Sequence, residues 1–229
     1  MKKLLFAVLA LCAAILGAPF IFPPGSSQPA TQAISMPWQI DVLPDGKSRV
    51  FGLTLGSSPL DEATARFGDA PQLAVVAASG QAGTMEAYFD HVSLGVLTGK
   101  IIVVAEMPDS QLLDIQKRAQ KTEPQESGNR RFSLSAEDRL AASQAPVRTI
   151  TFVPAAKLDA QVVQDRFGRP GERLAVGEVE HFLYAEKGLD LALSKEGKAV
   201  LQYVAPARFA GLREPLLHAA TAPAPAPAK

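Results

Sequence analysis

The chain has 229 residues, 47% apolar and 20% charged, enough to bury a core and outside the composition of disordered or collagen-like chains. Its 23 basic and 23 acidic residues cancel, which excludes the basic field that a nucleic-acid backbone requires. One cysteine and three histidines leave too few soft ligands for a structural zinc site and exclude an intrachain disulfide, and no cofactor motif is present.

Lys2 and Lys3 precede residues 4–22, a run without a charged or strongly polar side chain. As a helix this run is about 28 Å long, close to a hydrocarbon core of roughly 30 Å. Leu16-Gly17-Ala18 followed by Pro19 makes a poor peptidase site, and Leu11 before Cys12 makes a poor lipobox. Residues 1–24 are therefore expected to be an uncleaved inner-membrane anchor, with the lysines cytoplasmic and the remainder periplasmic. Cleavage to a soluble periplasmic protein is the alternative. Residues 25–36 form a Pro/Ser-rich linker, and residues 213–229 an Ala/Pro-rich tail.

Between them the chain repeats itself. Arg66-Phe67-Gly68 returns as Arg166-Phe167-Gly168, with strand candidates at 50–53 and 149–153 upstream. Leu60, Ala63 and Phe67 take helical spacing, as do Leu158, Val162, Val163 and Phe167. Ser57 and Ser58 before Pro59 offer an N-cap, and Gly68 and Gly168 offer left-handed C-caps. Arg66 and Arg166 are last-turn cations suited to the helix dipole, with anion binding as the other reading. Three strands are expected after each helix, at 85–89, 91–97 and 100–105, then at 180–185, 189–194 and 199–204. The predicted fold class is α+β: two tandem strand–helix–three-strand antiparallel units, at 37–108 and 147–212, behind an N-terminal membrane helix. The insert 109–146 is expected to hold a helix on Leu112, Leu113, Ile115 and Ala119, a solvated charged hairpin, and a second helix capped by Ser135.

The unit of helix, Phe-Gly, nearby Pro and aromatic strand (Tyr88-Phe89; Phe182 with Tyr184) resembles the repeat of the BamE (SmpA/OmlA) lipoproteins. A tandem pair is similar to the β-lactamase inhibitor protein architecture in a proteobacterial envelope protein. The resemblance implies protein–protein binding without catalysis.

Tyr88, Phe89, Phe182, Tyr184 and Tyr203 are the candidate partner-facing aromatics, with core packing as the competing role. Trp38, beside Pro37, reads as a packing plug. His91 and His181 are the candidates for a pocket. Each follows a carboxylate, Asp90 or Glu180, but adjacent strand residues face opposite ways, so neither pair is expected to form a dyad. Residues 95–100, Gly-Val-Leu-Thr-Gly-Lys, lack the spacing and the Ser/Thr of a phosphate loop. The expected function is a non-enzymatic envelope protein-binding module with an envelope protein partner and no nucleic acid. The alternative is a small-ligand or hydrolytic protein with a cleft between the repeats.

Overall fold

The computed structural model describes residues 35–68 and 71–221. The expected anchor at 4–22 lies outside them, as do residues 222–229 of the expected tail, whereas 213–221 belong not to a tail but to the helix Ala210–Thr221. Among the described residues no helix is long and apolar enough to cross a membrane.

Three short strands, β1 (Ile40–Val42), β2 (Ser48–Val50) and β3 (Leu53–Thr54), form a small antiparallel sheet. Ten more build the main sheet: β4 (Gln72–Ala77), β5 (Thr84–Leu94), β6 (Leu97–Ala105), β7 (Thr122–Pro124), β8 (Arg130–Ser133), β9 (Val147–Pro154), β10 (Glu172–Val176), β11 (Val179–Tyr184), β12 (Leu189–Ser194) and β13 (Ala199–Val204). Their order is β10-β11-β12-β13-β9-β6-β5-β4-β8-β7, antiparallel throughout. The described helices are α1 (Leu60–Phe67), α2 (Asp109–Arg118), α3 (Ala136–Ser143), α4 (Ala160–Phe167) and α5 (Ala210–Thr221).

This mostly β architecture overturns the expected α+β pair of repeats. The first half contributes β4, β5 and β6 to the main sheet, whereas the second contributes β9 and the meander β10 to β13. The strand expected to open the first unit instead forms the β2–β3 hairpin of the small sheet. β9 lies between β6 and β13, so one strand closes the hydrogen-bonding edges of both halves. Unpaired edges are costly, and sharing β9 removes two of them. What recurs is local: two eight-residue helices, each ending on a buried Phe and a glycine with positive φ, though at ψ 151 and −171 these glycines are extended and not the left-handed caps expected.

Several element boundaries also moved. The strands expected at 85–89 and 91–97 are one strand, β5, interrupted by an irregularity between Phe89 and Val92. β4 and β10 were not anticipated. Ser57 and Ser58 do not cap α1, which starts after Pro59 without a side-chain cap. Asp159 caps α4 by accepting from the Val162 amide, and Ser135 and Asp138 form a reciprocal capping box on α3. The insert holds α2, the expected charged hairpin as β7–β8 attached to β4, and α3.

The inner face of the sheet carries the main core. Phe89, Ile101, Phe152, Phe182, Leu191, Leu201 and Tyr203 point from it toward the small sheet and α1, α2 and α4. α5 and the residue before it pack on the outer face, Leu216 and Phe209 meeting Leu183 and Val204.

The glycines of residues 95–100 have structural work. Gly95, at φ 65, turns the chain between β5 and β6. Gly99 lies within β6, where an added Cβ would sit 2.3 Å from the Val153 carbonyl oxygen and 2.6 Å from the Phe152 ring. Backbone and a packed ring cannot yield cheaply. Gly99→Ala is expected to lower stability by about 2 kcal/mol, read as a lower urea midpoint with unchanged slope.

Candidate functional site

Three places bring chemistry-bearing side chains together. The first two lie on the outer face. β11 and β12 place His181 diagonal to Asp190, through the pairings His181↔Ala192 and Leu183↔Asp190. The imidazole Nδ1 lies 2.9 and 3.0 Å from the two carboxylate oxygens of Asp190, and both side chains are buried. In register across the sheet, His181 meets Leu174 on one side and Ala192, then Val200, on the other. Asp190 stands beside Gln202, which stands beside Thr151, both buried. The ring is thus oriented by a carboxylate but has apolar neighbours where a nucleophile would have to sit.

The second cluster surrounds Asp90. Tyr88 donates its hydroxyl to Asp90 at 2.7 Å, Lys100 approaches it at 2.9 Å and His91 Nδ1 at 3.1 Å. The irregularity in β5 puts Asp90 and His91 between two core-facing residues, Phe89 and Val92. Strict alternation is broken there, and the neighbours contact each other against expectation. Burial disfavours the Asp90 carboxylate, but the Tyr88 hydroxyl and the Lys100 ammonium outweigh it and hold the group below its usual range. Burial and donation to Asp90 push the Tyr88 phenol up. His91 itself is 60% exposed, so the cluster is an open surface network.

Further along this face, Glu86 of β5 lies between Ala74 and Val104 and accepts a 2.7 Å hydrogen bond from the Thr84 hydroxyl. Burial dominates and pushes its carboxyl up to about 7. A raised folded value means that the folded protein holds a proton which the unfolded chain releases near 4.5. The contribution is therefore fully present below pH 4.5 and lost as pH rises through 7. Between pH 5 and 8 the unfolding free energy should fall by about 2 kcal/mol, allowing for the water that still reaches the side chain. Glu86→Gln should flatten that slope in urea titrations. A slope unchanged by the substitution would assign the pH dependence to other groups.

The third place is a groove of about 610 Å³ at the β10 end of the sheet. Leu158 and Ala160, at the start of α4, form one wall; Arg173 and Ala175 of β10, Glu180 of β11 and Leu193 of β12 form the floor and the other wall. Arg173 lies 3.5 Å from Glu180 and covers the Phe182 ring at 4.5 Å from its centroid. Asp159 and Glu178 add two further carboxylates to the rim, and Lys195 a cation.

The five predicted aromatics do not share a surface. Phe89, Phe182, Tyr184 and Tyr203 are buried, and Tyr88 is half-buried beside Asp90. Phe182 and Tyr203 serve the inner core, and burial pushes the Tyr203 phenol well above its ordinary value while its hydroxyl donates to the Pro37 carbonyl. Tyr184 donates to the Gly168 carbonyl at the end of α4. Trp38 is packed edge-on against Phe167 with the Arg166 guanidinium 4.9 Å above it, as a plug would be. Arg66 lies against Gly52 in the β2–β3 turn.

Asp190 and Arg173 were not singled out from sequence, and Glu180 was considered only as the neighbour of His181. Asp190 alternates with Leu189 and Leu191 and therefore read as a solvent-side residue of a half-buried strand. The signal that was available is the predicted hairpin itself, since pairing 180–185 with 189–194 brings His181 diagonal to Asp190. No protein-family model, curated protein or solved structure matches this chain.

Proposed function

We propose that the chain is a non-enzymatic protein-binding module of the cell envelope, displayed on the periplasmic side of the inner membrane by residues 4–22. The observation that carries this reading is the open groove at the β10 end, where apolar and charged side chains meet beside the edge strand of the main sheet. Open clefts with apolar walls and a charged rim suit a polypeptide, whose side chains need both kinds of contact. The ligand-cleft alternative placed its site between two docked repeats; direct pairing of β6 with β9 replaces that boundary with a continuous sheet. The His181–Asp190 pair faces Ala192 and Val200 in register, which favours a structural role over hydrolysis.

The test is photo-crosslinking in intact cells of the full chain carrying a photoreactive side chain at one of four exposed positions: Leu140, Val162, Ala175 or Val96. A discrete adduct of defined mass, formed from at least one position and in proportion to the chain's abundance, is the expected result. Absence of any adduct from all four would overturn the reading.

A further inference from the structure

We propose that β10 is a docking edge that accepts an extended polypeptide as an eleventh strand, with a lysine or arginine of that polypeptide opposite Ala175. The inference rests on the protein-binding reading and adds the place, the geometry and the chemistry of the partner.

The two ends of the main sheet are not alike. β7 is a three-residue strand that ends in Pro124, which cannot donate to a further ladder. β10 is five residues long, contains no proline and, among the described residues, pairs only with β11. Its turn is the two-residue Gly177-Glu178, with Gly177 at φ 60, flanked by the pair Val176↔Val179. A two-residue turn closes on a pair that exchanges backbone hydrogen bonds, and such pairs alternate along an antiparallel ladder. Val176↔Val179, Leu174↔His181 and Glu172↔Leu183 are then the bonded pairs. The N–H and C=O groups of Arg173 and Ala175 are left directed away from β11. An incoming strand finds two donors and two acceptors in register, the requirement for strand addition.

The side chains fit the same arrangement. Leu174 turns to the outer face, where it packs with the α5 cluster, so α5 supports β10 from behind. Glu172 is tied to Arg213 of α5 by bonds of 2.6 and 3.0 Å, which hold that support in place. Arg173 and Ala175 are exposed and line the groove on the inner side. A residue added opposite Ala175 meets a small side chain, with Leu158 and Ala160 beyond it, and has room for a long aliphatic stem. Around that stem stand three carboxylates, Asp159, Glu178 and Glu180, against two cations, Arg173 and Lys195. The Glu178–Lys195 pair is exposed on both sides, 82% and 74%, and so neutralises little. A long chain with an apolar stem and a cationic head satisfies both surfaces, whereas a carboxylate there would face the acidic rim.

The experiment uses the full chain and two synthetic peptides of alternating Thr and Val with a central Lys or a central Glu. Fluorescence anisotropy should show the Lys peptide binding at least tenfold more tightly than the Glu peptide. Ala175→Pro removes an outward N–H without touching a β11 bond and should abolish binding, with circular dichroism unchanged. Glu180→Lys keeps the backbone edge and should reduce or reverse the preference, which separates charge recognition from strand addition. In hydrogen exchange, the Lys peptide should slow the Arg173 and Ala175 amides. Equal affinity for both peptides, no binding of either, or full binding by a folded Ala175→Pro protein would overturn the proposal. The crosslinking distribution separates the two levels: adducts from Val96, Leu140 or Val162 but none from Ala175 sink the docking edge and leave the binding module standing.

Discussion

Asp190→Ala lowers the unfolding free energy by about 2–3 kcal/mol, the upper part of the range for leaving a buried hydrogen-bonding group without its partner. The expectation follows from geometry. Both Asp190 oxygens face His181 Nδ1, and the two side chains are 7% and 8% exposed. Without the carboxylate, the imidazole keeps a buried N–H among Leu174, Ala192 and Leu183, and that unsatisfied donor carries its full desolvation cost. Asp190→Asn retains an acceptor oxygen and should lose clearly less. Equilibrium urea unfolding of both variants decides the matter. A loss below about 1 kcal/mol for the alanine variant would show that the pair contributes no more than an exposed one.

Phe51→Ala is expected to cost about 4 kcal/mol, within the range for truncating a buried aromatic. Phe51 is fully buried although it lies in the turn of the β2–β3 hairpin. Its ring meets Phe67 of α1, Phe152 of β9 and Tyr203 of β13 edge-on, with centroids 5.9, 6.0 and 5.4 Å away. It therefore locks the small sheet onto both halves of the large one. It also holds φ at 52, the left-handed region that a bulky side chain enters only under compulsion. Packing outweighs that backbone cost, which is about 1 kcal/mol. Phe51→Gly removes the backbone penalty as well as the ring, so it should fall somewhat less than Phe51→Ala. Thermal and urea unfolding of the two variants test the packing and backbone contributions separately. A loss below about 1.5 kcal/mol for Phe51→Ala would mean that the small sheet docks by other contacts.

Much of the second half was legible because its signals are local. Residues 189–194 alternate Leu with Asp and Ala and form β12 with those boundaries. Ser135 with Asp138 three residues on makes the capping box that starts α3. The helices ending at Phe67 and Phe167 follow from apolar spacing and a glycine stop, contacts made within about two turns of chain.

The sequence by itself determined these short elements, the aromatic stock of the core and the neutral charge. Tertiary structure decided how they were joined. A strand's apolar pattern says which face is buried, but not which strand supplies the hydrogen bonds at its edges. β9 therefore serves β6 and β13 together where two closed units were expected. The same gap hid the sites. His181 finds its carboxylate on the next strand rather than the next residue, and Asp90 meets His91 only because β5 departs from alternation. Whether β10 would be covered or left as an edge depended on the order of all ten strands, a property of long-range pairing that no local spacing encodes.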